Sequence, residues 1–172
     1  TAPIVFTDVK SSDYFADAVQ WAVEQGITNG TGATQFSPNA SCTRGQMVTF
    51  LWRAAGSPAA AGESPFTDIL PSDYFYDAVC WAANEGIAQG TSATTFGPDA
   101  TVTRGQAVTF LYRYAGAPDI SNNNVFDDVA ANTYYTNAVS WAASQGIANG
   151  ISSTAFGPAN DCTRAHTVTF LY

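Results

Sequence analysis

Three arginines stand where this sequence could hold an anion. Arg44, Arg104 and Arg164 each follow a threonine and open a segment whose apolar spacing predicts a helix. The first turn of a helix carries partial positive charge from its unpaired amides and therefore favours acidic side chains. Arginine at this point is less favourable than a carboxylate by about 0.3–1 kcal/mol. A guanidinium beside free helix amides would form a compact site for a carboxylate or a phosphate.

An ion pair between neighbouring segments is the structural alternative for these arginines. Asp8, Asp68 and Asp128 also recur at equivalent positions, and each is a candidate partner for a guanidinium. We favour anion binding because three of the five arginines in the chain occupy this one unfavourable position. The two roles are compatible with each other.

The arginines belong to a pattern that recurs every 60 residues. Self-similarity at a fixed period predicts a repeat architecture, in which each unit buries its apolar face against its neighbours. Stretches rich in Gly, Pro, Ala or Asn separate the units, so we place the repeats at residues 1–57, 58–117 and 118–172. The same offset relates Phe6, Phe66 and Phe126; Trp21, Trp81 and Trp141; and Gly30, Gly90 and Gly150.

Each repeat predicts two helices joined by an irregular loop. The first helix has apolar residues at helical spacing, with Ser12 or Asp13 as its expected cap and Gly26 as its end in repeat 1. The second helix begins at the Thr-Arg pair, where Thr43 and Gln46 predict a capping box.

Thr103 and Gln106 repeat that capping box in repeat 2, whereas His166 stands at the glutamine position of repeat 3. The last helix is expected to be cut short, because the sequence ends at Tyr172. Three such second helices predict a mainly α fold with a central helical bundle.

Composition narrows the classes of function. A net charge of −8 argues against nucleic acid or an anionic membrane as the partner, and no apolar run is long enough to insert into a bilayer. His166 is the only histidine and no Cys-x-x-Cys occurs, so we expect no metal site and no cofactor. Asp127 and Asp128 are too isolated for calcium binding or glycosidase chemistry, and no nucleophile–base pair is present, so we expect no enzyme.

The cysteines and aromatic residues have two interpretations each. Three small buried side chains are the simpler interpretation of the cysteines, and a bridge between Cys42 and Cys80 is the alternative. For the repeated tryptophans we favour core packing over stacking on sugars. We also favour packing for the repeated tyrosines at the head of the first helix, Tyr14, Tyr74 and Tyr134.

The repeated motifs together resemble the S-layer homology domain of bacterial surface proteins. Each unit has Phe-x-Asp-Val/Ile, an aromatic-led helix, Gly-Ile-x-x-Gly, Phe-x-Pro and a Thr-Arg pair, and the match covers essentially the whole chain. The resemblance implies three helix-loop-helix repeats in a pseudo-threefold, three-pronged module around a central bundle. It also implies a monomeric, extracellular module of a larger protein, attached non-covalently to secondary cell-wall polysaccharide that often carries a pyruvate ketal.

The resemblance also implies which residues bind the polysaccharide. The ketal carboxylate would be held in grooves between repeats by the motif arginines, and the glycines would let the sugar approach the backbone. Two residues depart from the family's Thr-Arg-Ala-Glu: glycine replaces alanine in repeats 1 and 2, and glutamine replaces glutamate. A self-assembling surface-layer subunit remains the alternative function. The predicted ligand-binding residues are Arg44, Arg104, Arg164, Thr43, Thr103, Thr163, Gln46, Gln106, Gly30, Gly90 and Gly150; the third site is the one expected to be altered.

Overall fold

A computed structural model describes residues 6–28, 30–59, 64, 66–118, 126–130, 133–148 and 150–171. Each repeat contributes a first and a second helix. In the described residues the rest is loop, with only isolated antiparallel bridges, so the mainly α prediction is confirmed. Among the same residues, no helix has the length and apolar character needed to cross a membrane. The helices are α1 (Ala16–Glu24), α2 (Arg44–Ala54), α3 (Tyr76–Asn84), α4 (Arg104–Tyr114), α5 (Thr136–Ser144) and α6 (Arg164–Leu171).

The first helices begin later than the sequence predicts. Phe15 precedes α1 and offers no side-chain cap, so the expected cap at Ser12 or Asp13 is wrong. Asp13 instead accepts a hydrogen bond from the Lys10 amide, 2.8 Å away, within the turn before the helix. The predicted end is correct: Gly26 has φ +71°, and the amide that follows it donates back into the last turn of α1.

The second helices begin where the Thr-Arg pairs predict. Thr43 and Gln46 form a complete capping box at α2, and Thr103 and Gln106 form one at α4. His166 takes the glutamine's place at α6, because its Nδ1 lies 3.4 Å from the Thr163 amide that donates to it. The helix start in repeat 3 is therefore capped in the same way.

The second helices form the centre of the molecule. Helices α2, α4 and α6 contact one another, which confirms the central bundle. Each of them also packs on the first helix of the next repeat: α2 on α3, α4 on α5, and α6 on α1. The last repeat therefore closes on the first, and each of these helix pairs joins two different repeats.

A ring of three backbone hydrogen bonds ties the repeats together just before the second helices. The Cys42 amide donates to Cys162, the Cys162 amide to Val102, and the Val102 amide to Cys42, over 2.8–2.9 Å. All three side chains are fully buried. The thiols of Cys42 and Cys162, and that of Cys80 in α3, are free, as the packing interpretation predicts.

Candidate functional site

The three motif arginines are buried between aromatic rings of the neighbouring repeat. Arg44 is 4% exposed, and its guanidinium carbon lies 4.8 Å from the ring centroid of Phe96 and 5.4 Å from that of Phe110. Both rings belong to repeat 2, so the arginine of one repeat is inserted into the next. The equivalent contacts join Arg104 to Phe156 and Phe170, and Arg164 to Phe36 and Phe50.

Carbonyl oxygens hold one side of each guanidinium. Arg44 donates from Nε to the Phe96 carbonyl at 3.1 Å and from Nη2 to the Gln89 carbonyl at 2.6 Å. Its Nη1 finds no hydrogen-bond partner within the described part of the chain, so this nitrogen remains available to a ligand. Burial lowers the pKa of Arg44, with a smaller opposing effect from Tyr134 and Asp68. Nε of Arg104 and Nε of Arg164 donate to the carbonyls of Phe156 and Phe36, at 3.0 and 2.9 Å.

The repeated aspartates hold loops rather than the guanidinium of Arg44. Both carboxylate oxygens of Asp68 accept backbone amides, from Phe96 and Gly97, at 2.8 Å. Asp68 and Arg44 thus bind the amide and the carbonyl of the same residue, and act on each other only through space. The ion pair considered from the sequence is not formed there. Asp8 binds the amides of Phe36 and Ser37, and Asp128 those of Phe156 and Gly157.

The hydrogen bonds of Asp128 also alter its titration. Burial alone would raise the pKa of its carboxyl group, but hydrogen bonds from backbone amides, those of Phe156 and Gly157 first, and the positive charge of Arg104 together outweigh burial and lower the pKa. The carboxylate is therefore ionised at neutral pH and keeps the loop around Phe156 in place. That loop supplies the carbonyl and the ring that hold Arg104.

Free helix amides do not accompany the guanidinium groups, so that part of the sequence prediction is wrong. In α2 the amides of Arg44 and Gly45 donate to the carbonyls of Ala100 and Pro98 in repeat 2, at 2.8 and 2.9 Å. The next two amides are taken by Thr43, through its hydroxyl and its carbonyl. All four amides at this end of the helix thus have hydrogen-bond partners within the protein. A ligand could bind the arginine side chain but not these amides.

Open grooves nevertheless reach two of the buried arginines. The Arg44 groove has a volume of about 280 Å³, and the Arg104 groove one of about 510 Å³. None of the described residues that line them is acidic. The Arg44 groove is lined by Gln89, Gly90, Thr91, Gln106, Thr109, Phe110, Arg113 and Tyr134; the Arg104 groove is lined by Tyr14, Gln145, Gly146, Ile147, Gly150, Ile151, His166, Thr169 and Phe170.

Each of these grooves combines three repeats. In the Arg44 groove the arginine comes from repeat 1, the central helix α4 from repeat 2, and Tyr134 from repeat 3. The surroundings of Arg164 follow the same plan, because Tyr74 acts electrostatically on both Arg164 and Arg53. The sequence repeat therefore produces related sites, which form only when the three repeats of the chain pack together.

The structure brings some of the predicted ligand-binding residues into the grooves and leaves others outside. Gln106, Gly90 and Gly150 line them. The threonines of the motif, Thr43, Thr103 and Thr163, do not line the Arg44 and Arg104 grooves, because their hydroxyls cap the second helices.

The repeated glycines have a structural reason that the sequence did not reveal. A Cβ on Gly90 would collide with the Thr95 and Ser92 carbonyls and with the Phe66 ring, inside its own repeat. A Cβ on Gly150 would meet the equivalent atoms of repeat 3, and one on Gly30 would meet the Gln35 carbonyl and the Phe6 ring. The close approach that requires glycine is therefore an internal one.

Sequence reasoning missed the tyrosines. The sequence favours a packing role for Tyr14, Tyr74 and Tyr134, but they are 68%, 59% and 58% exposed. A signal was present: each precedes a second aromatic residue at a helix start, and two adjacent residues there cannot both face the core. Phe15 and Phe75 take the inward position.

The repeated tryptophans pack against the core, and Arg113 lies in a groove. Trp81 and Trp141 are buried and Trp21 is partly buried against the core, as the packing interpretation predicts. Arg113 was not singled out, yet it lines the Arg44 groove while its Nη1 donates to the Ile87 carbonyl. It lies about two turns beyond the capping glutamine, where the path of α4 brings it to the groove.

Comparisons with known proteins agree with this architecture. The S-layer homology domain model matches residues 5–48, 65–108 and 125–168. The chain is 32% identical over 120 residues to the "Cell surface protein" of Thermoanaerobacter kivui. The aligned region covers 67% of this chain and 16% of that protein. The chain is 31% identical over 115 residues to the "Surface-layer 125 kDa protein" of Lysinibacillus sphaericus, covering 65% of this chain and 10% of that protein.

An "Endoglucanase" of a Bacillus species (strain KSM-635) is 28% identical over 166 residues, covering 92% of this chain and 17% of that protein. The chain therefore spans less than a fifth of the length of these relatives. Proteins with different names thus share between 115 and 166 residues of this repeated segment. This chain belongs to the S-layer homology domain family, the cell-wall anchoring modules of extracellular bacterial surface proteins.

Proposed function

We propose that the chain binds an anionic cell-wall polysaccharide in the grooves between its repeats, as a monomeric module that holds a larger surface protein to the wall. One observation carries the proposal. The chain has a net charge of −8 and only six basic residues, yet Arg44, Arg104 and Arg113 line the two grooves, and none of the lining residues that the structure describes is acidic. The grooves therefore carry positively charged side chains, whereas the chain as a whole is negatively charged.

The ligand group is a carboxylate, bound by the Nη1 edge of Arg44 and by the guanidinium groups of Arg104 and Arg164. The family resemblance favours a pyruvate ketal as its source. A charge-assisted hydrogen bond contributes about 1.5–3 kcal/mol. Repulsion from the acidic surface is screened beyond about 8 Å at physiological salt. Several grooves on one polymer add avidity without any new contact.

Other predicted residues support the arginines in this proposal. Gln46 and Gln106 use Oε1 to accept the threonine amide, which leaves their NH₂ groups to donate to the ligand. Gly30, Gly90 and Gly150 shape the wall of each groove. Thr43, Thr103 and Thr163 fix the helix starts that place the arginines, and do not need to touch the sugar.

The test uses exposed groove residues, because the arginines also support the fold. We expect the triple variant with Tyr14, Tyr74 and Tyr134 each changed to Ala to remain folded by circular dichroism, and to lose most of its retention on purified wall polysaccharide. The matched control is Tyr114→Ala, since Tyr114 is 44% exposed and lies outside both grooves. Retention of the triple variant at the level of the control would remove the grooves from the mechanism.

Three further measurements separate this proposal from its alternatives. Mild acid treatment that removes ketals from the polysaccharide should abolish binding; unchanged binding would rule out the ketal carboxylate. Light scattering should show a monomer at high concentration, whereas assembly of the isolated chain would favour a surface-layer subunit. We assign the chain no catalytic activity, so incubation with the polysaccharide should release no reducing ends.

A further inference from the structure

The grooves at Arg44 and Arg104 share a framework and differ at two equivalent positions of their walls. Thr91 in the Arg44 groove corresponds to Ile151 in the Arg104 groove, and Gln106 corresponds to His166. Glycine, threonine and phenylalanine recur at equivalent positions of the two walls, whereas among the described residues Arg113 lines the Arg44 groove and has no counterpart in the Arg104 groove. Each groove therefore offers an arginine to a ligand beside different neighbours.

The wall of the Arg44 groove is polar at these two positions. Thr91 presents an exposed hydroxyl, which already interacts with Thr95 at 3.1 Å. The Oε1 of Gln106 accepts the Thr103 amide at 3.0 Å, so its NH₂ group is the end left for a ligand. A sugar with hydroxyl groups beside its carboxylate would find hydrogen-bond partners on this wall.

The wall of the Arg104 groove is apolar at Ile151 and carries the flat ring of His166 at the second position. Ile151 is 56% exposed, although an isoleucine of a monomeric surface would more commonly be buried. The ring of His166 lies nearly parallel to that of Phe170, at an interplanar angle of 10°. Burial, and next the positive charge of Arg104, lower the pKa of His166, so the ring is neutral at neutral pH.

Taken together with the binding function proposed above, on which this inference rests, we propose that the two grooves select different sugars of one acidic glycan. The Arg104 groove takes an acidic sugar with a methyl-bearing substituent, which packs on Ile151. The Arg44 groove takes an acidic sugar whose neighbouring groups are hydroxyls. Repeat 1 has Thr31 and Gln46 at these positions, so the surroundings of Arg164 should resemble the Arg44 groove.

Nuclear magnetic resonance of the ¹⁵N-labelled chain tests this groove by groove. The probes are N-acetylmuramic acid, whose carboxylate stands beside methyl groups, and glucuronic acid, whose carboxylate stands beside hydroxyls. Amides of Gly150 and Ile151 report on one groove, and those of Gly90 and Thr91 on the other. We expect N-acetylmuramic acid to bind the Arg104 groove more tightly than the Arg44 groove, and glucuronic acid to show no such preference.

Reciprocal variants identify the responsible side chain. Ile151→Thr should weaken N-acetylmuramic acid at its own groove by about tenfold, the lower end for losing one hydrophobic contact. Thr91→Ile should strengthen the same sugar at the Arg44 groove, and both side chains are exposed, so the fold should be unaffected. Equal affinities of N-acetylmuramic acid for the two grooves, or no response to either sugar while the wall polysaccharide is still retained, would overturn this inference alone. Loss of polysaccharide retention by the unaltered chain would instead overturn the proposed function.

Discussion

Replacing Arg44 with alanine should destabilise the whole module, independently of any ligand. The guanidinium donates two hydrogen bonds to carbonyls of repeat 2 and lies between two of its rings. Hydrogen bonds to charged groups contribute about 1.5–3 kcal/mol each. A desolvated cation over an aromatic ring adds up to about 2 kcal/mol. The cost of burying the charge offsets part of this sum, as the lowered pKa of Arg44 shows. We therefore expect a loss of about 3–5 kcal/mol in the free energy of unfolding.

Urea denaturation followed by circular dichroism measures the loss directly. With a slope of about 2 kcal/mol per molar urea for a chain of this size, the midpoint should fall by about 2 M. The matched control is Arg113→Ala, because Arg113 is also an arginine of the groove but makes one hydrogen bond, to the Ile87 carbonyl at 3.3 Å. Its midpoint should fall by less than half as much.

The same experiment on Arg164→Ala examines the closure of repeat 3 on repeat 1. Its Nε donates to the Phe36 carbonyl, 128 residues away in sequence, so the loss should equal that of Arg44→Ala. A midpoint for either variant no lower than that of Arg113→Ala would refute the reasoning, since the arginine would then not join the repeats. A loss of binding in an arginine-to-alanine variant must therefore be interpreted together with its measured free energy of unfolding, because the same substitution destabilises the fold.

Two further predictions concern a closely packed glycine and the buried cysteines. Gly90→Ala should lower the free energy of unfolding by about 1–3 kcal/mol through overpacking, whereas Gly32→Ala should change it little because its Cβ meets open space; equal urea midpoints for the two variants would contradict this. Burial raises the pKa of Cys42 from 9.0 to about 12 and that of Cys162 to about 11. Because the unfolded thiols ionise first, stability should be fully present below pH 9 and fall above it by up to about 1.4 kcal/mol per pH unit and thiol. The double Cys→Val variant, which copies Val102, should remove this extra loss in alkaline urea titrations; an unchanged alkaline slope would show that these thiols are not its source.

Local signals predicted the helices well. The capping boxes at Thr43 and Thr103 depend on residues three positions apart, and the glycine that ends each first helix acts within one turn. Interactions of this range can be predicted from sequence because they depend on a few neighbouring residues and not on the tertiary fold. The starts of the first helices are harder to predict, since Phe15 at the start of α1 is buried by tertiary packing and provides no side-chain cap.

The candidate site was predicted in part. The unusual position of Arg44 marked it as special, and it does reach a groove. The free amides expected beside it are consumed by the loop of repeat 2, and Asp68 binds that loop in place of the guanidinium. Tyr134 joins the same groove from repeat 3. None of these partners is close in sequence, so no local pattern could have identified them.

The sequence by itself determined the number of repeats, the order of their helices and the family, because a 60-residue period and the helix caps are written in residues near one another. Only the tertiary structure decided what each arginine touches. Repeat 3 closes on repeat 1, and each guanidinium enters the following repeat between two phenylalanine rings. The physical reason is desolvation, because a guanidinium that is removed from water needs carbonyl oxygens and aromatic rings as partners. These partners lie in other repeats, so they are in place only once the three repeats have packed together.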